Sequence, residues 1–508
     1  MGSITFQLMI ITIVSKATGL IREMVFGAAY GTSMIKDVYV TSETVTALLF
    51  SFLFMSIQSI FIPMYNKVLA GAGRKKADAF TANLTNTLIV VSTLIIIMGM
   101  IFMEPIVKLV AAGYTGEKLE TAVYFSRIRM FGIYFSAANA CMISYLNIYD
   151  DFFHPAITGI ISNFFLIIIA LISARIGSIN LLAFGTVFSV FMQYILFPRA
   201  LKKAGYRHRL LLKPKHPDIM TALKMALPVM IGIVVNDLSI MIDQSIATSV
   251  ATEGGVSALD YAQKIYQIIS GIVIVSIVTA VYPKMSKFGQ EKQIPELKKL
   301  SNSSIITGLL LVIPSTIGLM IFAEPIVRLF YERQAFDAQS TQLTAGALFW
   351  YTPGLVALVF TSLITRVFYS IGNTRTPVAI STVQVVIDII LNFVLSRLMG
   401  LNGLAASTSV GNIFAAFAYL YLIHLQLGKM HFRSMIKSMG KIILASSLMA
   451  LAAYVAFTRL PLAGESIRLA LVILLAIVVY SLAIILVKIP EAEDILKSIF
   501  GRFKKSKS

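Results

Sequence analysis

The chain of 508 residues is 57% hydrophobic and only 13% charged, with a mean hydropathy of +0.83. This composition excludes a soluble enzyme or binding module of the same length, because one fold cannot hide so much apolar surface from water. The formal net charge of +19 would suit nucleic acid only on a water-exposed domain, and no polar stretch is long enough to form one.

About 14 apolar stretches of membrane-spanning length follow one another along the chain. Their apolar runs lack a two-residue alternation, which predicts helices rather than a membrane barrel. We therefore predict an all-α, polytopic membrane protein with about 14 transmembrane helices. The spans are expected near residues 4–29, 38–64, 78–102, 119–147, 154–174, 179–198, 219–249, 257–283, 301–323, 341–371, 377–398, 402–427, 435–457 and 466–488.

Lysine and arginine cluster after the even-numbered spans and are scarce in the other connections. The clusters lie within 67–76, 199–215, 284–299 and 429–441. Because such clusters stay on the cytoplasmic side of a membrane, we predict that both termini are cytoplasmic. Topology thereby explains the positive charge, and we expect no nucleic-acid partner.

An eight-residue motif occurs twice, as Phe102–Leu109 after span 3 and as Phe322–Leu329 after span 9. The offset of six spans is even, so the two halves have the same orientation in the membrane. Such repeats are typical of alternating-access transporters. We predict two six-helix lobes, residues 1–215 and 216–430, followed by a helix pair and a basic tail in residues 431–508.

A first group of polar residues within the predicted spans is mainly basic. It comprises Lys16 and Arg22 in span 1 and Asp260, Lys264 and Gln267 in span 8. A charge at the bilayer centre costs about 2.5–3.5 kcal/mol, so such residues should face a wet cavity or a partner. Lys16, Arg22 and Lys264 could surround one anion. The alternative is that Asp260 neutralises Lys264 and that Lys16 extends to the membrane surface.

A second group is acidic and rich in amides and hydroxyls. It comprises Asn236, Ser239 and Asp243 in span 7, Asp388 and Asn392 in span 11, and Thr408 in span 12. Oxygen ligands of this kind suit a hard monovalent cation or a proton. The alternative is hydrogen bonding between helices without an ion.

Motifs of soluble enzymes are missing. The five histidines are scattered, and the sequence contains neither a phosphate-binding loop nor metal-ligand spacing. We therefore predict a transporter rather than an enzyme. It must draw on substrate gradients, an ion gradient or the membrane potential.

Several motifs along nearly the whole chain match a known family pattern. Ser15–Glu23 is similar to Ser-Arg-x-x-Gly-x-x-Arg-Asp, and Tyr261–Lys264 is similar to Tyr-Ala-Asp-Arg. The other matches are Asp37, Phe61–Pro63 and Asn373–Val378. Through these motifs the chain resembles the MurJ/MviN family of lipid II flippases, within the multidrug/oligosaccharidyl-lipid/polysaccharide exporter superfamily.

The resemblance implies two six-helix lobes, a V-shaped cationic cavity, and a final helix pair with a hydrophobic groove for a polyprenyl tail. It also implies a multi-pass protein of the bacterial inner membrane that carries the undecaprenyl-pyrophosphate-linked peptidoglycan precursor from the cytoplasmic to the outer leaflet. The residues expected to bind this substrate are Lys16, Arg22, Glu23, Asp37, Asp260, Lys264 and Gln267. The positions that resemble a sodium site are Asp243, Asp388, Asn392, Thr408 and the backbone carbonyl near Leu404.

This sequence departs from the family pattern at several points. Lys16 and Lys264 replace arginines, which keeps the charge but loses the planar fork that binds phosphate bidentately. Gln267 stands where some members have glutamate, and Leu49–Ser51 replaces a region that elsewhere carries two arginines. An anionic lipid-linked substrate remains compatible with these changes, whereas its sugar is less certain.

Three other functions remain open at this point. A related flippase for another lipid-linked glycan would use a similar fold. An ion-coupled multidrug exporter is disfavoured because Lys16, Arg22 and Lys264 would repel cationic drugs. A membrane scaffold for cell-wall synthesis enzymes would leave the intramembrane charges unexplained, although such enzymes stay candidate partners. We expect a monomer without a cofactor other than sodium.

Overall fold

The computed structural model describes residues 2–250, 253–428, 432–459, 464–487, 489 and 491–492. All regular structure in these ranges is helical, which confirms the predicted all-α class. The helices are α1 (Gly2–Tyr30), α2 (Met34–Ala72), α3 (Arg74–Val110), α4 (Gly116–Arg129), α5 (Gly132–Ile148), α6 (Phe153–Ile176), α7 (Ile179–Met192), α8 (Phe197–Lys203), α9 (Pro217–Val250), α10 (Gly255–Ile269), α11 (Val275–Gln290), α12 (Ile294–Ile321), α13 (Ala323–Tyr331), α14 (Ala338–Tyr351), α15 (Gly354–Ser370), α16 (Arg375–Met399), α17 (Leu401–Leu427), α18 (Phe432–Arg459) and α19 (Glu465–Val487).

Each predicted span coincides with one helix or with two consecutive helices. In the described ranges, 11 helical segments are long and apolar enough to cross a bilayer, and α14 with α15, bent by 43°, makes 12. The remaining predicted spans correspond to α1 and to α4 with α5. A multi-pass membrane protein is therefore confirmed, and the predicted count of about 14 spans is approximate.

Three predicted spans are interrupted by non-helical residues, and one of them is 179–198, which is divided between α7 and α8. The predicted span 119–147 is divided between α4 and α5, and the predicted span 341–371 between α14 and α15. In the second case Pro353 lies at the break, where its ring removes a backbone donor. In the first case the sequence contains no proline, and Gly132 opens the second helix.

The chain divides into two compact units by its internal contacts. Unit 1 comprises Met1–Ser257 with Arg333–Asp337, and unit 2 comprises Ala258–Glu332 with Ala338–Ser508. In unit 1, α2 packs against α3, α4, α5 and α9, and α1 packs against α6. In unit 2, α17 packs against α14, α15 and α16, whereas α12 packs against α15 and α18. The lobe boundaries drawn from the sequence stay a prediction.

The two copies of the repeated motif bend the chain in the same way. Phe102 interrupts α3 with φ −101° and ψ 17°, and Phe322 separates α12 from α13 with φ −106° and ψ 24°. Each phenylalanine precedes a proline by three residues, Pro105 or Pro325. A proline inside a helix clashes with the carbonyl four residues earlier and removes a hydrogen bond, which explains both bends.

The starts of α6 and α16 provide a second repeated feature. The backbone N–H of His154 donates to the Asp151 side chain at 3.3 Å, and the N–H of Thr376 donates to the Asn373 side chain at 3.1 Å. Both are side-chain caps on a backbone donor that the helix itself leaves unpaired. The two halves thus share local structure beyond the octapeptide.

Within unit 2, Arg328 on α13 contacts the final helix pair. Its Nη1 contacts both carboxylate oxygens of Glu465, at 2.9 and 2.8 Å, where α19 begins. Its Nη2 donates to Glu324 at 2.6 Å and its Nε to Glu332 at 3.1 Å. Both carboxylate oxygens of Glu465 lie against the single nitrogen Nη1, and this charge-assisted contact holds the start of α19 against α13.

Candidate functional site

In unit 1, Arg22 is held from two sides. Its Nη2 and Nε donate to Oε1 of Glu23 at 2.5 and 3.1 Å, and its Nη1 donates to Oδ1 of Asn163 at 3.0 Å. Asn163 lies on α6 and donates in turn to the Thr18 hydroxyl at 3.2 Å. The side chain of Arg22 remains 25% exposed. The guanidinium is therefore oriented by α1 and α6, and part of the side chain stays exposed.

Glu23 has a second cationic partner, Lys36 on α2. The Nζ of Lys36 lies 3.2 Å from Oε2 of Glu23, and its side chain is only 1% exposed. The same ammonium lies 5.3 Å from the ring centroids of both Phe26 and Tyr39. Rings at this distance stabilise a buried cation through their π faces.

Lys16 lies on α1 with an exposed side chain. It forms no ion pair with any residue in the part of the chain that the structure describes. Its ammonium is therefore available to an anionic ligand. The alternative that Lys16 extends to the membrane surface stays open.

Asp37 on α2 is engaged by the protein itself. Its carboxylate accepts hydrogen bonds from the backbone N–H groups of Gly254 at 3.0 Å and Ser257 at 2.9 Å, and from the Ser257 hydroxyl. Lys118 on α4 contributes an ion pair of 2.7 Å. Asp37 is 1% exposed, so these contacts hold residues 254–257 and α4 against α2.

In unit 2, Lys264 is paired with Asp260 one turn earlier on α10. The two charged groups are 3.4 Å apart, and the side chains are 30% and 14% exposed. This geometry fits the expectation that Asp260 moderates the charge of Lys264. Gln267 lies one turn further on and is exposed. The three side chains thus share one helical face, as their spacing predicts.

A polar seam joins α16 to α17 within unit 2. Gln384 donates to Asn412 at 3.0 Å, and four residues further along α16 lies Asp388. The Oδ1 atom of Asp388 is buried and accepts no hydrogen bond from the described residues. It faces Gly411, where an added Cβ would lie 3.3 Å from that oxygen. Glycine at 411 therefore lets the carboxylate approach α17 closely.

The next turn of this seam contains the other predicted ion-site residues. Asn392 is 1% exposed and accepts a hydrogen bond from the Ser407 hydroxyl. The carbonyl of Leu404 accepts from Ser407 at 2.7 Å and from the Thr408 hydroxyl at 3.3 Å. The fifth predicted ligand, Asp243, lies on α9 in unit 1, where its side chain is half-buried.

An apolar cavity of about 520 Å³ lies between α18 and α19. Its lining residues come from both helices and include a single charged side chain near one end. They are Leu448, Leu451, Ala452, Val455, Ala456, Arg459 and Leu475. Such a cavity suits a hydrocarbon chain rather than a polar solute.

The sequence-based reasoning missed Lys36, Asn163 and the pair formed by Ser51 and Asp237. Asp237 on α9 accepts a hydrogen bond from the Ser51 hydroxyl on α2. Each is a polar residue within a predicted span or at its edge, and this placement could have marked it as a candidate site residue. Asn163 lies 141 residues from Arg22 and Asp237 lies 186 residues from Ser51, and Lys36 pairs with Glu23 from a different helix, so no local pattern indicated these pairings.

Comparison with known proteins identifies relatives over most of the chain. The sequence profile of the family described as "Lipid II flippase MurJ" matches residues 26–479. A probable lipid II flippase MurJ from Rickettsia prowazekii is 29% identical over 450 residues, which cover 87% of both chains.

Two solved structures show the same fold. One, described as lipid II flippase MurJ in an inward closed conformation, has 26% sequence identity and a TM-score of 0.82, and the alignment covers 94% of this chain and 98% of that one. The other, an inward-facing multidrug resistance MATE family transporter, has 16% identity and a TM-score of 0.67, with 83% and 96% of the chains covered. The second similarity concerns the fold alone.

Proposed function

This chain belongs to the lipid II flippase MurJ family, and we propose that it holds the diphosphate of lipid II with the cationic side chains Arg22, Lys16 and Lys264. Membership of the family makes it a membrane transporter of lipid II that works by alternating access. The substrate carries a diphosphate between a long polyprenyl chain and a glycan. We propose transport without a covalent step, since movement between leaflets breaks no bond.

The accessibility and orientation of Arg22 carry this proposal. Glu23 and Asn163 use one N–H on each of the three guanidinium nitrogens. A guanidinium has five N–H donors, so one donor on each terminal nitrogen has no partner within the described residues. These two donors can form the parallel pair of hydrogen bonds that arginine makes with a phosphate. Glu23 and Asn163 thereby orient the fork for its ligand.

We propose that Lys16 and Lys264 add positive charge around the diphosphate. Both are point charges, which attract phosphate without fixing its direction. Lys16 is exposed on α1, and Lys264 keeps 30% exposure beside Asp260. Asp260 limits the charge that Lys264 offers, and we infer that Arg22 contributes more to affinity than either lysine.

Complementation tests the proposed function. The resident lipid II flippase of a bacterium is depleted while this chain is expressed, and growth and outer-leaflet lipid II are measured. We expect both to be restored. Absence of restoration by a chain that is present in the membrane and folded would contradict the proposal, and restoration only of another lipid-linked glycan would favour the alternative substrate.

For orientation, we propose that both termini face the cytoplasm, supported by the basic residues that follow the even-numbered spans. The motif copies at Phe102–Leu109 and Phe322–Leu329 then lie at the outer side of the bacterial inner membrane. A monomer is sufficient for the proposed mechanism.

For the polyprenyl chain, we propose the cavity between α18 and α19. A photo-crosslinker that replaces Leu475, which lines the cavity, is expected to capture polyprenyl lipid. The neighbouring Leu474 is 59% exposed and does not line the cavity, so it provides the matched control. Equal capture of bulk phospholipid at both positions would show that α19 is an ordinary lipid-facing helix.

For energy coupling, we propose that Asp388, Asn392, Thr408 and the Leu404 carbonyl bind a cation, most simply sodium, with Asp243 as a further ligand. The support is the unpartnered Oδ1 of Asp388, because an unpaired buried carboxylate oxygen is costly without a ligand. No cluster of three or more His, Cys, Asp or Glu suited to a transition metal occurs in the described residues. Oxygen ligands of this kind fit a hard cation.

Sodium is expected to raise the thermal stability of the purified protein relative to potassium at equal ionic strength. At ten times its dissociation constant, a bound ion stabilises the folded state by about 1.4 kcal/mol. Asp388→Asn should remove the difference between the salts, because it keeps the size but not the charge. Gln384→Leu in the same seam serves as the control and should retain it. Identical melting curves of the unmodified protein in both salts would leave the seam as a contact between helices.

A further inference from the structure

Lys36 is the most deeply buried charged residue of the group around Arg22. Its side chain is 1% exposed, compared with 6% for Glu23 and 25% for Arg22. A side chain so enclosed does not reach a ligand that approaches Arg22. Lys36 therefore acts on such a ligand only through its neighbours or through its field.

The surroundings of Lys36 favour the charged form of its amine. Oε2 of Glu23 lies 3.2 Å from Nζ of Lys36. The ring centroids of Phe26 and Tyr39 each lie 5.3 Å from the same nitrogen. A buried lysine without such partners would lose its charge, because burial disfavours an isolated ion. The carboxylate and the two π faces together keep the positive charge inside the protein.

Glu23 has two oxygens with different partners. Oε1 accepts both hydrogen bonds from Arg22, whereas Oε2 faces Lys36. A carboxylate that contacted Arg22 alone would orient the guanidinium and at the same time cancel much of its attraction for an anion. The lysine on the opposite oxygen offsets the negative charge without competing for Arg22.

We propose that Lys36 is a positioning residue for diphosphate binding: it offsets the charge of Glu23, so that Glu23 orients Arg22 while the group keeps its attraction for an anion. The inference rests on the proposed function, since it concerns how Arg22 meets the diphosphate of lipid II. It adds a residue that the substrate does not contact. Lys36 thus raises the affinity for the diphosphate through its charge, whereas Arg22 forms the hydrogen bonds with the diphosphate.

The expected loss of lipid II affinity follows from the charge that the substitution of Lys36 removes. A unit charge about 10 Å from the diphosphate, at an effective dielectric constant near 20, changes binding roughly tenfold. Lys36→Met, which keeps the length of the side chain but not its charge, should therefore weaken lipid II binding roughly tenfold. Lys36→Arg should bind within about threefold of the unmodified protein.

The double variant Glu23→Gln/Lys36→Met separates charge from structure. It removes one negative and one positive charge, so the total charge near Arg22 is unchanged. We expect its affinity for lipid II to recover to within about threefold of the unmodified protein. It also removes the carboxylate charge that Lys36→Met would leave without its lysine partner, so it should fold even where Lys36→Met does not.

The measurement is the dissociation constant of lipid II for purified protein in nanodiscs, across a series of salt concentrations. Lys36→Met should bind more weakly and with a shallower salt dependence, because one less positive charge acts on the anion. The control pair is Glu104 and Lys108, which is 2.7 Å apart and more than half exposed. Glu104→Gln/Lys108→Met and its single variants should bind like the unmodified protein.

The outcomes distinguish this inference from the proposed function. Weak binding by Arg22→Ala with unchanged binding and salt dependence for Lys36→Met would overturn the role of Lys36 alone. A double variant that folds and binds no better than Lys36→Met would also overturn it, since charge balance would then not be the cause. Unchanged binding by Arg22→Ala would overturn the proposed diphosphate site itself.

Discussion

Replacing Arg22 with alanine is expected to abolish complementation of a flippase-depleted bacterium while the protein stays in the membrane. The substitution removes the two guanidinium donors that have no partner in the described structure and leaves Glu23 beside the ligand. Losing one partner of a desolvated, charge-assisted contact costs about 2–5 kcal/mol. Lipid II binding should therefore weaken by about 30-fold or more. The measurement is the dissociation constant, with growth as the cellular readout.

Arg22→Lys should give an intermediate result, because it keeps the charge but loses the fork that Glu23 and Asn163 orient. The matched control is Arg175→Ala, which removes an exposed arginine near the end of α6. That variant should support growth. If Arg22→Ala supported growth as well as Arg175→Ala does, Arg22 would not be a diphosphate ligand.

Replacing Asp37 with alanine is expected to cause a large loss of stability. The change leaves the N–H groups of Gly254 and Ser257 without their acceptor and leaves the Lys118 charge unpaired. Breaking a buried ion pair costs about 3–5 kcal/mol, and because Lys118 is 21% exposed we expect about 3 kcal/mol. The thermal midpoint of the purified protein in detergent measures the loss.

Glu104→Ala provides the control for Asp37. It also removes a carboxylate from a lysine pair of 2.7 Å, but both side chains of that pair are more than half exposed. Exposed pairs contribute at most about 1 kcal/mol, so its midpoint should hardly change. Similar midpoints for the two variants would show that the contacts of Asp37 contribute little to stability. The substrate-binding role expected for Asp37 from the sequence would then regain support.

The helices of this chain could be predicted from hydropathy because the bilayer requires long apolar helices whatever the tertiary structure. The positions at which a span is divided into two helices were harder to predict. Pro353 is a local signal that could have predicted the division of α14 from α15. The division of α4 from α5 has only the weaker signal of Gly132, because no proline lies at that break.

The candidate site could be predicted only as far as its individual charges. Arg22 stood out as an arginine within an apolar span, but its partner Asn163 lies 141 residues away in sequence. Asp37 appeared as a possible ligand, although it binds backbone groups more than 200 residues further on. Nothing local encodes such pairings, since they depend on how whole helices pack.

The polar seam between α16 and α17 shows why the sequence could not predict individual side-chain partners. Thr408 was predicted to contribute a hydroxyl beside Asp388 and Asn392. In the structure Asn392 accepts from the Ser407 hydroxyl, and the Thr408 hydroxyl donates to the Leu404 carbonyl. Adjacent residues point about 100° apart around a helix, so the partner depends on the rotation of α17. Hydropathy does not determine that rotation.

Diphosphate capture as the basis of transport is tested by the movement of lipid II across the membrane of vesicles that contain only the purified protein. Lipid II in the inner leaflet is followed as it becomes accessible to a reagent that cannot cross the bilayer. We predict that the unmodified protein exposes lipid II far faster than protein-free vesicles, and that Arg22→Ala does not. A rate equal to that of protein-free vesicles for folded, unmodified protein, or an undiminished rate for Arg22→Ala, would contradict diphosphate capture as the basis of transport.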